Sequence, residues 1–407
     1  MIARIEPSKL RGTVAAPPSK SMAHRHLICA ALTDGISRVH GISESDDVRA
    51  TIDALRALGC DIAVSDGVAT VSGRTPKQFK GESELYVNES GSTLRFMIPL
   101  CLLTGKRYRL TGKARLFERP LSTYETICRD QKLAWQAGEQ ELILCGKMHS
   151  GEFYIPGNIS SQFISGLLFS LPLLDGNSVI HITETAESLP YIQMTLEVLQ
   201  KHGISVDFDG QATLCIPGNQ SYIPGEYTVE GDYSNTAFFD ALSYFEHEVQ
   251  TTGLKQDSLQ GDKIYRDYFK MLSDGSPILP VGDCPDLAPV LMAIAAEKNG
   301  CTLTETARLK IKESDRGTVM RKELSKFGAD ITVLDDTIIV RSAPLRTPTV
   351  LLDAHGDHRV VMSLSVLATK YGGEIRGAEH VNKSFPDFFD KLSALGAKVT
   401  LYEAEQK

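Results

Sequence analysis

Near the start of the chain, Pro17-Pro18-Ser19-Lys20-Ser21-Met22-Ala23-His24-Arg25 gathers an ammonium, two hydroxyls and a guanidinium. Two prolines pre-set an extended entry, and Ser19 is a good N-cap for the helix-forming run behind it. Lys20 and Ser21 then fall in a first turn, where free N–H groups and the helix dipole favour an anion. Arg25 follows Ser21 by four residues and shares its face. The spacing predicts an anion site; the plainer alternative is a capped, solvent-exposed basic helix start.

Further stretches repeat the theme. In Asn88-Glu89-Ser90-Gly91-Ser92-Thr93-Leu94-Arg95-Phe96, Gly91 admits close backbone approach just before an apolar helix expected over 94–103. Phe117-Glu118-Arg119-Pro120 sets a guanidinium before a proline that can open a helix, or else holds a surface Glu-Arg pair. Ser160, Ser161 and Gln162 offer two hydroxyls and an amide ahead of a helix expected over 163–171. Asp286 precedes an apolar helix over 288–296, a place where an acid is most often only a cap. Lys310-Ile311-Lys312-Glu313-Ser314-Asp315-Arg316 reads as a short strand, 311–313, leading into a helix near Arg316. There Lys312 stands beside Glu313 and could tune its pKa for proton transfer. Asp357-His358-Arg359 starts an apolar helix over 360–368, and Lys383 comes just before the last helix. Carboxylates among so many cations oppose anion binding unless they do chemistry, so Asp286 and Glu313 point to acid–base catalysis.

The elements that position these residues recur along the chain. Helix-period segments that end in Gly and turn into strand-like alternation lie at 48–59, 195–203, 320–328 and 388–396, with weaker copies near 124–135 and 265–274. Six units at roughly 65–75-residue spacing suit supersecondary α/β repeats, three to each of two similar domains. The chain crosses between the halves at 16–18 and 229–234. Helix N-termini turned toward one cleft predict a polyanionic small molecule bound between two domains that close on it.

Composition excludes other classes. A net charge of -8 over 407 residues argues against a nucleic-acid partner. No stretch has the length and apolarity of a signal peptide or a membrane span. Eight cysteines stand singly, without a C-x-x-C pair, as expected of reduced thiols in a cytoplasm. Neither a P-loop nor a dinucleotide fingerprint occurs.

Read together and in order, Pro-Ser-Lys-Ser with Arg25, Gly-Ser-Thr-Leu-Arg at 91–95, Glu-Arg-Pro at 118–120, Ser-Ser-Gln-Phe at 160–163, Pro-Asp at 285–286, Lys-Glu-Ser-Asp-Arg at 312–316, Asp-His-Arg at 357–359 and Lys-Ser-Phe-Pro at 383–386 are a specific set. Over essentially its whole length the chain resembles the 5-enolpyruvylshikimate-3-phosphate synthase family. The resemblance implies an α/β fold of two inside-out barrel-like domains, each of three βαβαββ repeats, joined by two crossover segments. It places the phosphoenolpyruvate side in 1–18 with 231–407 and the shikimate-3-phosphate side in 19–230. The implied reaction moves the enolpyruvyl group of phosphoenolpyruvate to the 5-hydroxyl of shikimate-3-phosphate and releases phosphate, a step toward chorismate and the aromatic amino acids.

By the same resemblance Lys20, Ser21, Arg25, Ser160, Ser161, Gln162, Ser188, Asp286 and Lys312 bind shikimate-3-phosphate. Lys20, Gly91, Arg119, Gln162, Arg316, Arg359 and Lys383 surround phosphoenolpyruvate. Glu313 is the candidate acid–base group toward carbon and Asp286 the hydroxyl base, with Lys20 sharing proton transfer. No metal or cofactor is required, because cations already stabilise the leaving phosphate, and a monomer is expected. The sister family that uses a UDP-N-acetylglucosamine acceptor is disfavoured, since the loop 111–118 lacks the cysteine usual there. Two departures stand out: Glu89 occupies a position where relatives often carry Asn, with Asn88 one earlier, and Arg308 also replaces a common Asn.

Overall fold

Three helices show how the chain must be layered. Gly91–Cys101 buries ten of its eleven residues, Ser161–Ser170 nine of ten and Ala288–Glu297 nine of ten. A helix apolar on every side belongs in a core, so the sheets have to lie outside. Strands such as Arg107–Thr111 and Glu152–Pro156 alternate accordingly, with Phe153 and Ile155 inward and Glu152 and Tyr154 toward solvent. The computed structural model describes residues 1–185 and 187–403.

The chain divides into two compact units, 1–17 with 231–407 and 18–230, each around its own apolar core. The second unit holds three four-stranded sheets of one pattern. In one of them Ser83–Tyr86 runs parallel to Arg107–Thr111, which pairs antiparallel with Glu141–Cys145, and that strand pairs antiparallel with Ala134–Ala137. The helix Gly91–Cys101 forms the parallel crossover and Ser122–Asp130 precedes the hairpin, giving a βαβαββ repeat.

The first unit carries two more four-stranded sheets and one two-stranded sheet. It borrows the chain's beginning: Ile2–Glu6 lies antiparallel between Gly373–Arg376 and Lys398–Tyr402, and Arg11–Ala15 runs parallel to Glu248–Thr252. Among the described residues these are separate open sheets over buried helices, so the inside-out layering is present without a closed strand ladder. No described helix is long and apolar enough to cross a membrane.

The repeat's punctuation is visible in the backbone. Gly59, Gly203, Gly328 and Gly396 all take positive φ, between 82° and 105°, where a side chain would be strained. In the two weaker copies Lys132 takes the left-handed position at φ 56°. Gly275 is instead extended, at φ 175°.

One close approach sets up the site of the second unit. A Cβ on Gly166 would lie 2.6 Å from the carbonyl oxygen of Arg95, so only glycine lets these helices meet. Gln162 meets Ser92 as Gly166 meets Arg95, so Gly91–Cys101 and Ser161–Ser170 run side by side in the same direction. Their N-termini therefore open together.

Candidate active site

In the second unit, Ser19 caps the helix Lys20–Ala31 by accepting from the Met22 N–H at 3.4 Å. Lys20 Nζ lies 2.7 Å from Asp47 Oδ2, in the first turn of the helix Asp46–Ala57. Arg25 is buried, with Nε donating to Thr195 Oγ1 at 2.9 Å, Nη1 to the Ser21 carbonyl at 2.8 Å and Nη2 to the Tyr191 carbonyl at 3.0 Å. Burial lowers its pKa to about 10, so it stays charged at neutral pH while bonded to uncharged acceptors. Ser188 precedes the helix Leu189–Lys201 in a left-handed conformation at φ 61°, the kind of strain that marks functional positions.

The paired helix starts hold the next group. Ser90 caps one helix and Ser160 the other, which leaves Gly91, Ser161 and Gln162 in first turns. The Gln162 amide donates to Ser92 Oγ at 3.0 Å. Arg119 packs against Gly91, where a Cβ would come within 2.7 Å of its Nη1.

Two expectations change here. Pro120 does not open a helix, which begins at Ser122, because Leu121 supplies the non-helical cap position first. Glu118 pairs with Arg115 at 2.8 Å, one helical turn back and within easy reach, and leaves Arg119 to the Gly91 side. Glu89 lies 3.5 Å from Lys113 Nζ, so a cation neutralises the unusual acid. Asn88 adopts φ 51°.

In the first unit Asp286 is no cap. The helix Ala288–Glu297 starts after Leu287 without side-chain capping, and the Asp286 carboxylate turns to the cations instead. Its Oδ1 is 2.7 Å from Arg316 Nη1 and 3.9 Å from Lys312 Nζ; its Oδ2 is 3.1 Å from Arg359 Nη2. Arg316, with a side chain only 2% exposed, also reaches Asp357 Oδ2 at 2.9 Å and Glu313 Oε2 at 2.8 Å. One guanidinium thus serves three carboxylates. Lys383 Nζ completes the knot, 3.7 Å from Glu313 Oε1.

The expected strand 311–313 is replaced by a 3-10 helix, Ala307–Ile311, followed by an extended Lys312. Lys312 reaches Asp286 and Glu313 reaches Arg316 and Lys383, all within one cluster, and the two neighbours also interact electrostatically, Glu313 raising the Lys312 pKa.

The electrostatics follow from the geometry. Burial pushes the Asp286 carboxyl up, but Arg359, Arg316 and Lys312 outweigh it and hold the group well below the usual carboxylate range. Burial works against charge on Arg316 too, and Asp357, Asp286 and Glu313 raise its pKa well above the ordinary value. On Lys312 burial wins, and its pKa falls to about 8 despite Asp286.

Residues without an assigned role in the sequence reading complete both groups. Asp357, fully buried, caps the helix His358–Tyr371 and accepts from Ser314 Oγ at 3.1 Å. Asn235 Oδ1 accepts from Arg359 Nη1 at 3.5 Å. Asp262 is buried and accepts from Ser234, and burial with the nearby Asp286 charge raises its pKa to about 8. Asp357 had a sequence signal, its place beside Arg359; Asp47, Asn235 and Asp262 had none.

Chemically, the first unit's knot is a set of carboxylates whose protons are controlled by cations that an anion can divert. A ligand carboxylate or phosphate that took over Arg316 or Arg359 would remove part of what holds the Asp286 pKa down.

Similarity to known proteins points the same way. A sequence model described as EPSP synthase (3-phosphoshikimate 1-carboxyvinyltransferase) matches residues 5–392. A 3-phosphoshikimate 1-carboxyvinyltransferase of Clostridium botulinum (strain Alaska E43 / Type E3) is 40% identical over 420 residues, covering 97% of each chain. One of Clostridium kluyveri is 38% identical over 424 residues with the same coverage. An EPSP synthase structure from Acinetobacter baumannii shares the fold at TM-score 0.80 and 23% identity, over 98% of this chain and all of that one. With the match running nearly end to end, this chain belongs to the EPSP synthase family.

Proposed function

We propose that this chain transfers the enolpyruvyl group of phosphoenolpyruvate to the 5-hydroxyl of shikimate-3-phosphate, releasing phosphate, in aromatic amino-acid biosynthesis. The observation that carries the reading is the pair Asp286 and Glu313, both ion-paired to one buried arginine. Addition needs two proton movements, and these are two carboxylates under common control. Glu313 gives a proton to the methylene carbon of phosphoenolpyruvate. The acceptor oxygen bonds to the adjacent carbon and loses its proton to Asp286. In elimination Glu313 takes a proton back from the new methyl group, Asp286 returns its proton to the leaving phosphate, and the carbon–oxygen bond to phosphate breaks.

The remaining assignments are read from chemistry. Arg119, Arg316 and Arg359 suit carboxylate and phosphate as forked donors, which lysine cannot match, and Gly91, Gln162 and Lys383 are assigned to phosphoenolpyruvate as well. Lys20, Ser21, Arg25, Ser160, Ser161, Gln162, Ser188 and Lys312 provide the charges and hydroxyl partners for shikimate-3-phosphate. Lys20 also assists proton transfer. A monomer belongs to the same proposal. The eight free thiols suit a reducing cytoplasm.

The test is phosphate release from phosphoenolpyruvate with shikimate-3-phosphate or UDP-N-acetylglucosamine as acceptor. Release with shikimate-3-phosphate alone is the expected result. Release only with the nucleotide sugar, or tight binding without turnover, would overturn it.

A further inference from the structure

Arg95 has no part in the chemistry above, yet its side chain touches the groups that do. It is 2% exposed, and its guanidinium lies 5.2 Å from the Phe163 ring centroid. Nη1 donates to Gln162 Oε1 at 3.0 Å and Nη2 to the Pro120 carbonyl at 3.1 Å. We propose that Arg95 is a positioning residue that fixes the Gln162 amide and the Arg119 turn for substrate.

The argument is one of donor inventory. A guanidinium only donates, so the oxygen end of the Gln162 amide must face it and the NH2 end must face away. That NH2 group gives one N–H to Ser92 Oγ. Its second N–H has no partner among the described residues and is the one left for a ligand. Without Arg95 the amide could flip and offer its oxygen to an anion. The other arm of the fork holds Pro120, the residue after Arg119, and so fixes the turn from which Arg119 projects. Both guanidiniums press on the same backbone, since a Cβ at Gly91 would lie 2.7 Å from Arg119 Nη1 and 3.0 Å from Arg95 Nη1. Lysine has the charge but not the fork.

The inference rests on the transfer reading, so its test has one readout that needs no turnover. In protein labelled with 15N at glutamine side chains, the wild-type Gln162 amide should give one slowly exchanging proton, the one bonded to Ser92, and Arg95→Lys should make it exchange at least tenfold faster. An unchanged rate would overturn the proposal. The second readout is a double-mutant cycle on kcat/KM. Arg95→Lys should lose about 10- to 100-fold, mostly in KM. The double variant with Gln162→Ala should lose clearly less than the product of the two single losses, because only the Arg119 share of the Arg95 effect remains. Losses that multiply would overturn it. If Arg95→Lys does not fold, Gln162→Glu keeps a partner for Arg95 and should retain the melting temperature while losing about 100-fold in kcat/KM. Near-normal activity of that variant would contradict the role. An inactive wild type would sink the transfer reading instead, with the amide signal still deciding the role of Arg95.

Discussion

The two units hold their cations in opposite ways. In the second, Arg25 and Arg95 donate to hydroxyls, an amide and backbone carbonyls, and Asp47 pairs with Lys20. In the first, Arg316 and Arg359 are met by Asp286, Glu313 and Asp357. Neutral acceptors orient a guanidinium without cancelling its charge, so the second unit is a standing anion site. Carboxylate partners cancel the charge until something more anionic competes. On the proposed reaction the first unit is a latent site, whose carboxylates would be freed for proton transfer by the same event that binds the substrate, so that one half holds and the other reacts.

The largest effect should come from removing the reacting half's protons. Asp286→Asn and Glu313→Gln should each lower kcat by about 10²–10⁴-fold while ligand affinity persists. Near-normal turnover in both, measured as phosphate release, would break the distinction between the units. Next comes stability. Arg316→Met takes the arginine from buried Asp357 and weakens the pairing of Asp286 and Glu313, and should cost about 3–5 kcal/mol in denaturant unfolding. Arg25→Met leaves neutral acceptors and should cost about 1 kcal/mol. Equal costs would mean that the two sites are not built differently.

Much of this was legible in the sequence, for a physical reason. Lys20, Arg25, Gly91 and Gln162 sit at helix starts, and a helix start is a local event of a few residues. The buried helices, and the glycine stops of the amphipathic ones, are local as well. What could not be read was pairing across distance: Arg25 meets Thr195 170 residues away, and Arg316 meets Asp357 41 residues away. Adjacency told part of the story at Lys312-Glu313: the two interact electrostatically, while their direct ion pairs go to Asp286, Arg316 and Lys383. Arg95 lay within a recognised motif, yet its partners, Gln162 and the Pro120 carbonyl, are fixed only by packing.

A smaller effect concerns alkaline pH. Lys312 loses its charge above about pH 8, and Asp262 gains a negative charge there. Both changes remove positive potential from the first unit, so kcat/KM for the acceptor should fall up to about tenfold per pH unit above 8. Asp262→Asn should soften that limb, and a limb unchanged in this variant would remove Asp262 from the cause.

The smallest effect separates the units in acid. Burial holds His24 at about 3, His26 at about 4 and His202 at about 2, all in the second unit, while in the first His247 is held at about 4. The unfolded chain takes up these protons below about pH 6.5 and the folded chain does not, so stability falls from there down to the folded values. At pH 6 each histidine should cost about 1 kcal/mol. Hydrogen exchange corrected for its intrinsic pH dependence should show 18–230 losing more protection than 231–407, and equal losses would contradict the assignment.

The most direct test of the account is to run the transfer in D2O and weigh the product. Protonation of the methylene carbon followed by loss of a proton from the resulting methyl group must carry solvent deuterium into the enolpyruvyl methylene. The account predicts product with deuterium at that carbon from the wild type, with incorporation and transfer lost together in Glu313→Gln. Product formed at full rate with no deuterium would show that the carbon is never protonated, and would contradict the addition–elimination role given to Glu313 and Asp286.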